Sequence, residues 1–279
     1  MKKIIAVFDG LKFSESVKEY AIHISKLYAA HLVGVFLDDM TYTGYKIYEL
    51  LSQEGVSEAL LKKYDEIDKT KRKHAASAFE TACKKAGTEF NIHHDKKIAI
   101  HELLHESIYS DLMIIDRKET LTHYDEKQPS RFIRNLLADV QCPVLLVPQK
   151  FLPFKKIIFL YNGEPSSVYA IKMFGYIFAE LKNMEVQVVS VKNPNDTLHL
   201  PDNTLMKEFV KRHYPDALYE VLRGLPEVEI AEYLKEQPAS ALVVLGAYRR
   251  SAASRLFRQS MADVLMNNIN LPLFIAHNK

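Results

Sequence analysis

Ala241–His277 reads ALVVLGAYRRSAASRLFRQSMADVLMNNINLPLFIAH. The run Leu242-Val243-Val244-Leu245 is apolar throughout, as a parallel strand covered on both faces requires. Gly246 ends it. A loop with Arg249, Arg250, Arg255 and Arg258 follows. Ser260 then opens a segment with Met261, Val264, Leu265 and Ile269 at helical spacing. Pro272 stops that helix, and Leu273-Phe274-Ile275 is a second apolar run. Strand, glycine turn, loop, serine-started helix and strand form the plan of a phosphate site in an α/β fold. N–H groups at the turn and helix start would face the anion, helped by the helix dipole.

The same plan occurs twice. Lys2-Lys3-Ile4-Ile5-Ala6-Val7-Phe8-Asp9-Gly10 returns as Lys155-Lys156-Ile157-Ile158-Phe159-Leu160-Tyr161-Asn162-Gly163. A serine then starts a helix in each copy. Ser110-Asp111-Leu112-Met113-Ile114-Ile115-Asp116 returns as Ser240-Ala241-Leu242-Val243-Val244-Leu245-Gly246. Cys142-Pro143-Val144-Leu145-Leu146-Val147 returns as Leu271-Pro272-Leu273-Phe274-Ile275-Ala276. Similarity at about half the chain length means two copies of one domain, not a solenoid of short repeats. The expected domains are 1–148 and 155–279, joined by a linker at 149–154.

Each copy reads as alternating strands and helices. Copy one predicts strands near 3–8, 31–37, 89–94, 112–116 and 143–147, with helices near 14–29, 42–86, 98–109 and 130–140. Gly44 and Gly55 are expected breaks in its long second helix. Copy two predicts strands near 156–161, 185–191, 217–222, 242–246 and 272–276, with helices near 166–182, 202–213, 226–236 and 260–269. This alternation gives an α/β fold of open, doubly wound parallel sheets. Ligands of such sheets sit beyond the strand C-termini. Asp9, Asp116, Asn162 and Gly246 all fall there.

The stretch after Leu245 resembles the C-terminal signature of the universal stress protein family. ATP-binding members of that family carry G-x2-G-x9-G-[S/T]. Here the four positions hold Gly246, Arg249, Gln259 and Ser260. The two missing glycines are those that let backbone approach phosphate. The resemblance covers nearly the whole chain in both copies. It implies a five-stranded sheet of order 3-2-1-4-5 in each, of the adenine-nucleotide α-hydrolase-like kind. It also implies pairing through the last strands, Val144–Val147 and Leu273–Ala276, which would join the copies as a pseudo-twofold pair inside one chain. A further homo-oligomer stays open.

Composition bounds the rest. The chain has 279 residues, 48% hydrophobic and 26% charged, with net charge +2. Such a chain is long enough for two ordinary globular domains. Neither half is basic enough to make nucleic acid the default partner. No apolar run approaches the ~18 residues of a membrane span. The first run meets Asp9 too early for a signal-peptide core and reads as a strand. Cys83 and Cys142 lie far apart and read as buried free thiols, which suits the cytoplasm.

The candidate sites follow from these placements. In copy one, Asp9 stands where nucleotide-binding family members keep an Asp near the adenosine. A turn Asp bonded to its own backbone is the plainer reading. The loop Asp116-Arg117-Lys118-Glu119 lacks glycine, and Asp116 would point negative charge at a phosphate. Ser130 and Arg131 are set at the third-glycine and hydroxyl positions. Copy one therefore reads as a vestigial site of Asp9, Asp116 and Arg131. Copy two keeps Gly246 and Ser260, with Asn162 in place of the ribose-contacting Asp. Its arginines either hold an anion or form a solvated basic loop. The nucleotide or anion candidates are Asn162, Gly246, Arg249, Ser260 and Met261.

His101 and His105 stand four apart on an expected helix after His93-His94-Asp95, a weak zinc pattern without HExxH or a cysteine pair. Partly exposed histidines are the expectation, with no metal. No GxSxG and no nucleophile–base order marks a hydrolase. Three functions remain in view. The first is a non-enzymatic, stress-linked binding or interaction module with degenerate nucleotide sites and no obligate cofactor. The second is a sensor of ATP, AMP or another anion in copy two. The third is an enzyme of adenine-nucleotide α-hydrolase type.

Overall fold

The computed structural model describes residues 1–37, 57–95, 99–122, 126–181, 183–195, 199–247 and 260–277. The chain divides into two compact units, Lys2–Cys142 and Pro143–Lys279, the latter with Met1.

The first unit runs β1 (Lys3–Asp9), α1 (Glu15–Tyr28), β2 (His31–Leu37), α2 (Glu58–Ala86), β3 (Phe90–Asp95), α3 (Ala99–Ile108), β4 (Leu112–Asp116) and α4 (Arg131–Asp139). Its strands lie in the order β3-β2-β1-β4, all parallel. From Ile4 to Asp9 every residue of β1 is buried. That is why the strand carries no polar alternation: helices cover both faces. Phe8 stacks on Phe13 and on Phe36 at 5.0 Å each, and Phe79 of α2 closes the cluster at 5.2 Å from Phe8. Gly34 makes room for that ring, since a Cβ there would lie 2.6 Å from Phe79 Cε1. Segment 42–56 of the expected second helix, with Gly44 and Gly55, lies outside the described residues.

Helix starts follow side-chain chemistry. Ser14, Ser57 and Ser130 each accept a bond from a backbone N–H three residues on, at the starts of α1, α2 and α4. Gly87 ends α2 in the left-handed conformation. The polar face of α2 carries Asp65–Lys69 and Glu80–Lys84 pairs at 2.8 and 2.7 Å. Such exposed pairs add only a few tenths of a kcal/mol each.

The second unit runs β5 (Val144–Val147), β6 (Lys156–Leu160), α5 (Pro165–Ile177), a 3-10 turn at Ala179–Leu181, β7 (Glu185–Lys192), α6 (Asn203–His213), β8 (Leu218–Arg223), α7 (Pro226–Lys235), β9 (Ala241–Gly246), α8 (Met261–Asn268) and β10 (Leu273–Ala276). Strand order is β5-β10-β9-β6-β7-β8. Read from β8 to β10, this is the expected 3-2-1-4-5 order of copy two. The serine expected to start the first helix of copy two does not do so. α5 opens on Pro165, whose fixed φ and missing N–H suit a first helical position. Phe159, Phe174, Phe178 and Phe274 form the aromatic core, with Phe174 4.9 Å from Phe178 and 5.3 Å from Phe274.

β5 groups with this unit because it pairs with β10 in antiparallel fashion. Leu146 stands opposite Leu273, Leu145 opposite Phe274 and Val144 opposite Ile275. The expected pairing of the two last strands is therefore present. Left bare, either apolar strand would be a template for aggregation. Leu145 and Phe274 are fully buried. A Leu145→Asp or Phe274→Asp substitution should cost about 3–5 kcal/mol, the scale of an uncompensated buried charge. Urea unfolding checks this; a midpoint unchanged from the parent would contradict the pairing.

Candidate functional site

Asp9 ends β1 and is almost wholly buried, 1% exposed. Its Oδ1 accepts from Leu11 N–H at 2.7 Å. The residue after next thus satisfies it, as in an Asx turn. Copy two repeats this bond: Asn162 Oδ1 accepts from Glu164 N–H at 3.1 Å. Asn162 differs in being exposed. The local geometry at both positions is that of a turn residue.

The ends of the fourth strands are anchored differently in the two copies. In copy one, Ser14 Oγ–H donates to Asp116 Oδ2 at 2.9 Å, and Lys118 N–H donates to Asp116 Oδ1 at 2.9 Å. Asp116 thus ties the start of α1 to the end of β4. In copy two, Gly246 lets backbone meet backbone. A Cβ on Gly246 would lie 2.3 Å from Ser166 O and 2.8 Å from Ser167 N. The glycine is needed for the approach of α5 to β9, whatever else it serves.

The loop after β4 turns inward. Glu119 is only 8% exposed, and its Oε1 accepts from Thr120 N–H and Leu121 N–H at 2.9 Å each. Ser130, wholly buried, donates its hydroxyl to the Glu119 carbonyl and accepts from Ile133 N–H at 3.2 Å. Lys12 reaches across from the β1–α1 turn, donating to Thr122 O at 2.6 Å and to Thr120 Oγ1 at 3.4 Å. Burial, and then the nearby Asp9 carboxylate, push the Glu119 carboxyl up to about 7; its main-chain bonds and Lys12 work the other way. Burial also lowers the Arg117 guanidinium, with Asp116 opposing.

Ser130 stands at the N-cap of α4 as Ser260 stands at the N-cap of α8. This corrects the sequence alignment of the copies by one residue: the hydroxyl position is Ser130, not Arg131. Arg131 is instead the first helical residue, and its N–H donates to Glu126 Oε2 at 2.7 Å. With the serines aligned, Asp116, Glu119, Pro129 and Ser130 have the spacing of Gly246, Arg249, Gln259 and Ser260. Glu119 therefore takes the second-glycine position of copy one.

In copy two, Ser260 and Met261 are half-buried at the start of α8. Ser260 O accepts from Asp263 N–H and Val264 N–H at 2.9 and 3.2 Å, but its hydroxyl makes no capping bond. Arg249, Arg250, Arg255, Arg258 and Gln259 lie outside the described residues. Pro201 lies against the Gly163 turn. Burial, then Asp202, raises the phenol of Tyr161 beside that turn.

Solved structures share this architecture end to end. A universal stress protein from Archaeoglobus fulgidus DSM 4304 superposes with TM-score 0.71 at 13% identity, covering 99% of this chain and 98% of that one. A candidate universal stress protein from Pseudomonas aeruginosa UCBPP-PA14 gives TM-score 0.63 at 12% identity, with 99% and 92% covered. A protein of unknown function from Pseudomonas aeruginosa PAO1 gives 0.58 at 13%, again with 99% and 92% covered. The chain has the universal stress protein fold. No protein-family model matches its sequence, and no curated protein does.

His93 Nδ1 meets Glu106 Oε1 at 2.5 Å, and Lys3 Nζ meets Glu106 Oε2 at 3.3 Å. His105 packs edge-on against Tyr109 at 5.5 Å. Among the described residues no three His, Cys, Asp or Glu side chains gather as a metal would need. Cys83 and Cys142 are buried free thiols, pushed up to about 11 and about 12, in both cases chiefly by burial. Among the described residues no helix is long and apolar enough to cross a membrane.

Glu119, Lys12 and Ser14 are the site residues that the sequence does not single out. The shared spacing of the two loops is the signal that would have found Glu119. If Gly246 serves close packing, Gly246→Ala should cost about 1–3 kcal/mol, the range for overpacking a filled interior. Thermal unfolding measures it; a variant as stable as the parent would show that the approach of Ser166 is dispensable.

Proposed function

We propose that the chain is a tandem universal stress protein that works by binding and interaction, without catalysis, and that its nucleotide sites are degenerate. The observation that supports this most is Glu119. A carboxylate at the second-glycine position is buried in copy one, bonded to its own loop. It fills space that the family pattern leaves to backbone and phosphate, and its neighbour Asp9 is also an acid. A phosphate would meet negative charge there. On this reading Asp9→Ala leaves any ATP affinity of the whole protein unchanged. Isothermal titration of that variant beside the parent checks this, and a large loss would make copy one the working site.

Copy two supports a second reading, an anion or nucleotide sensor of Asn162, Gly246, Arg249, Ser260 and Met261. What favours it is Ser260, whose hydroxyl, unlike those of Ser14, Ser57 and Ser130, is not spent on its own helix. A helix start whose serine hydroxyl does not cap it suits an anion. Arg249 stands at the position that Glu119 fills in copy one, and we assign it the same filling role. Purified protein should then carry no ATP by mass spectrometry of released nucleotides. Replacing Arg249→Gly together with Gln259→Gly should raise affinity for a fluorescent ATP analogue from undetectable to measurable. Stoichiometric nucleotide in the parent would overturn the degenerate reading. Weaker binding in the double variant would make Arg249 a clamp, worth about 1.5–3 kcal/mol as a charge-assisted contact.

A further inference from the structure

We propose that the outer edge of β8 is a docking site for an extended segment of a partner protein, one in which acidic and apolar side chains alternate. β8 ends its sheet, and among the described residues no strand pairs with its outer side. Gly224 N–H donates inward to Lys192 O at 3.0 Å. Backbone groups alternate in direction along a strand, so the N–H and C=O groups of Tyr219, Val221 and Arg223 point outward, away from β7. Such an edge is a template for a further strand.

The two faces of this edge differ in chemistry. On one face Lys207 of α6 lies over the Tyr219 ring, 5.5 Å from its centroid. By alternation Val221 and Arg223 share this face, and Lys192 stands beside Arg223 in register. Lys211 follows one turn after Lys207 on α6. Among the described residues Lys192, Lys211 and Arg223 have no carboxylate partner. The acids next to them in sequence are Glu208 and Asp216, so the face is net positive. The other face carries Leu218, Glu220 and Leu222. The phenol of Tyr233 in α7, pushed up to about 12 by burial and then by Glu220 and Glu185, marks this as the α7 side. Leu218 is 56% exposed, and Leu225 and Val228 at the start of α7 are 69% and 52% exposed. None of the exposed large apolar side chains lies in β3, the edge strand of copy one, so the fold itself does not require them.

A strand added to β8 continues the pleat, and its side chains alternate between these faces. Acidic residues on one side meet Lys207, Lys211 and Arg223. Apolar residues on the other cover Leu218, Leu222 and Leu225, and a polar residue suits the position opposite Glu220. A second copy of this chain is a poor match. Two-fold pairing of β8 with β8 continues each face into its own kind and brings the two cationic faces together.

The docking site rests on the reading of the chain as an interaction module but uses neither nucleotide loop. A probe without phosphate therefore tells its failure apart from a failure of the degenerate-site reading. The probe is a short fluorescent peptide of alternating glutamate and valine, titrated with the full-length protein and followed by anisotropy. It should bind, and a lysine–valine peptide of the same length should not. Val221→Pro removes an outward N–H and no bond to β7, a change that edge strands tolerate, and should abolish binding. Lys207→Glu with Arg223→Glu should weaken the glutamate peptide about tenfold and pass the preference to the lysine peptide. Hydrogen exchange of segment 218–224 should slow when the peptide binds. Absence of binding to the parent overturns the site, as does equal binding of the two peptides or undiminished binding to Val221→Pro. Self-association of the parent that Val221→Pro removes would make the edge a contact between copies and overturns it too. Should Val221→Pro fail to fold, the exchange of preference in the charge-reversed variant decides.

Discussion

A parallel strand cannot turn back on itself; it must be followed by a crossover that returns the chain to the starting edge. In each unit this collects the strand C-termini along one side. The neighbouring strands β1 and β4 end there at Asp9 and Asp116 in the first copy; in the second, β9 ends at Gly246 and Asn162 follows the end of β6. The candidate ligand residues are placed by that constraint. The helices cover both faces of the strands, so a ligand is met by the loops at this side.

The two copies solve one packing problem in two ways. The start of the first helix must be fastened to the end of the fourth strand. Copy one uses a hydroxyl and a carboxylate, Ser14 and Asp116. Copy two uses bare contact, with Gly246 beneath the Ser166 carbonyl. The side-chain version spends its polar groups on itself and draws Glu119 in behind them. In copy two the hydroxyl of Ser260 makes no capping bond to α8.

Much of the fold was legible because burial on both faces writes itself as unbroken apolar runs. β1, β4, β6 and β9 are readable from Ile4-Ile5-Ala6-Val7, Leu112-Met113-Ile114-Ile115, Ile157-Ile158-Phe159-Leu160 and Leu242-Val243-Val244-Leu245 alone. The site was less so. Ser130 and Arg131 were set one residue out; counted from Asp116 with the spacing of copy two, Ser130 takes the hydroxyl position, and the cap geometry agrees. Glu119 sits in an Asp-Arg-Lys-Glu string that the sequence marks only as a loop without glycine. The loop that carries it is held by Lys12, more than a hundred residues earlier in the chain, through Thr120 and Thr122, and no local pattern announces such a partner. The start of α5 was misplaced because Pro165, not a serine, opens it.

The antiparallel contact of β5 and β10 also bears on how the protein is made. Val144–Val147 leaves the ribosome long before Leu273–Ala276, which completes its sheet. At ordinary elongation rates the 127 residues from Leu146 to Leu273 take roughly 6–25 s to add. For that time a short, wholly apolar strand waits without its mate, while the neighbouring chain has begun to collapse. The nascent chain is thus most exposed to mispairing and to chaperones at Val144–Val147, in the interval before its last strand emerges. The order of synthesis makes completion of the second unit the event that shields a piece of the first copy's sequence.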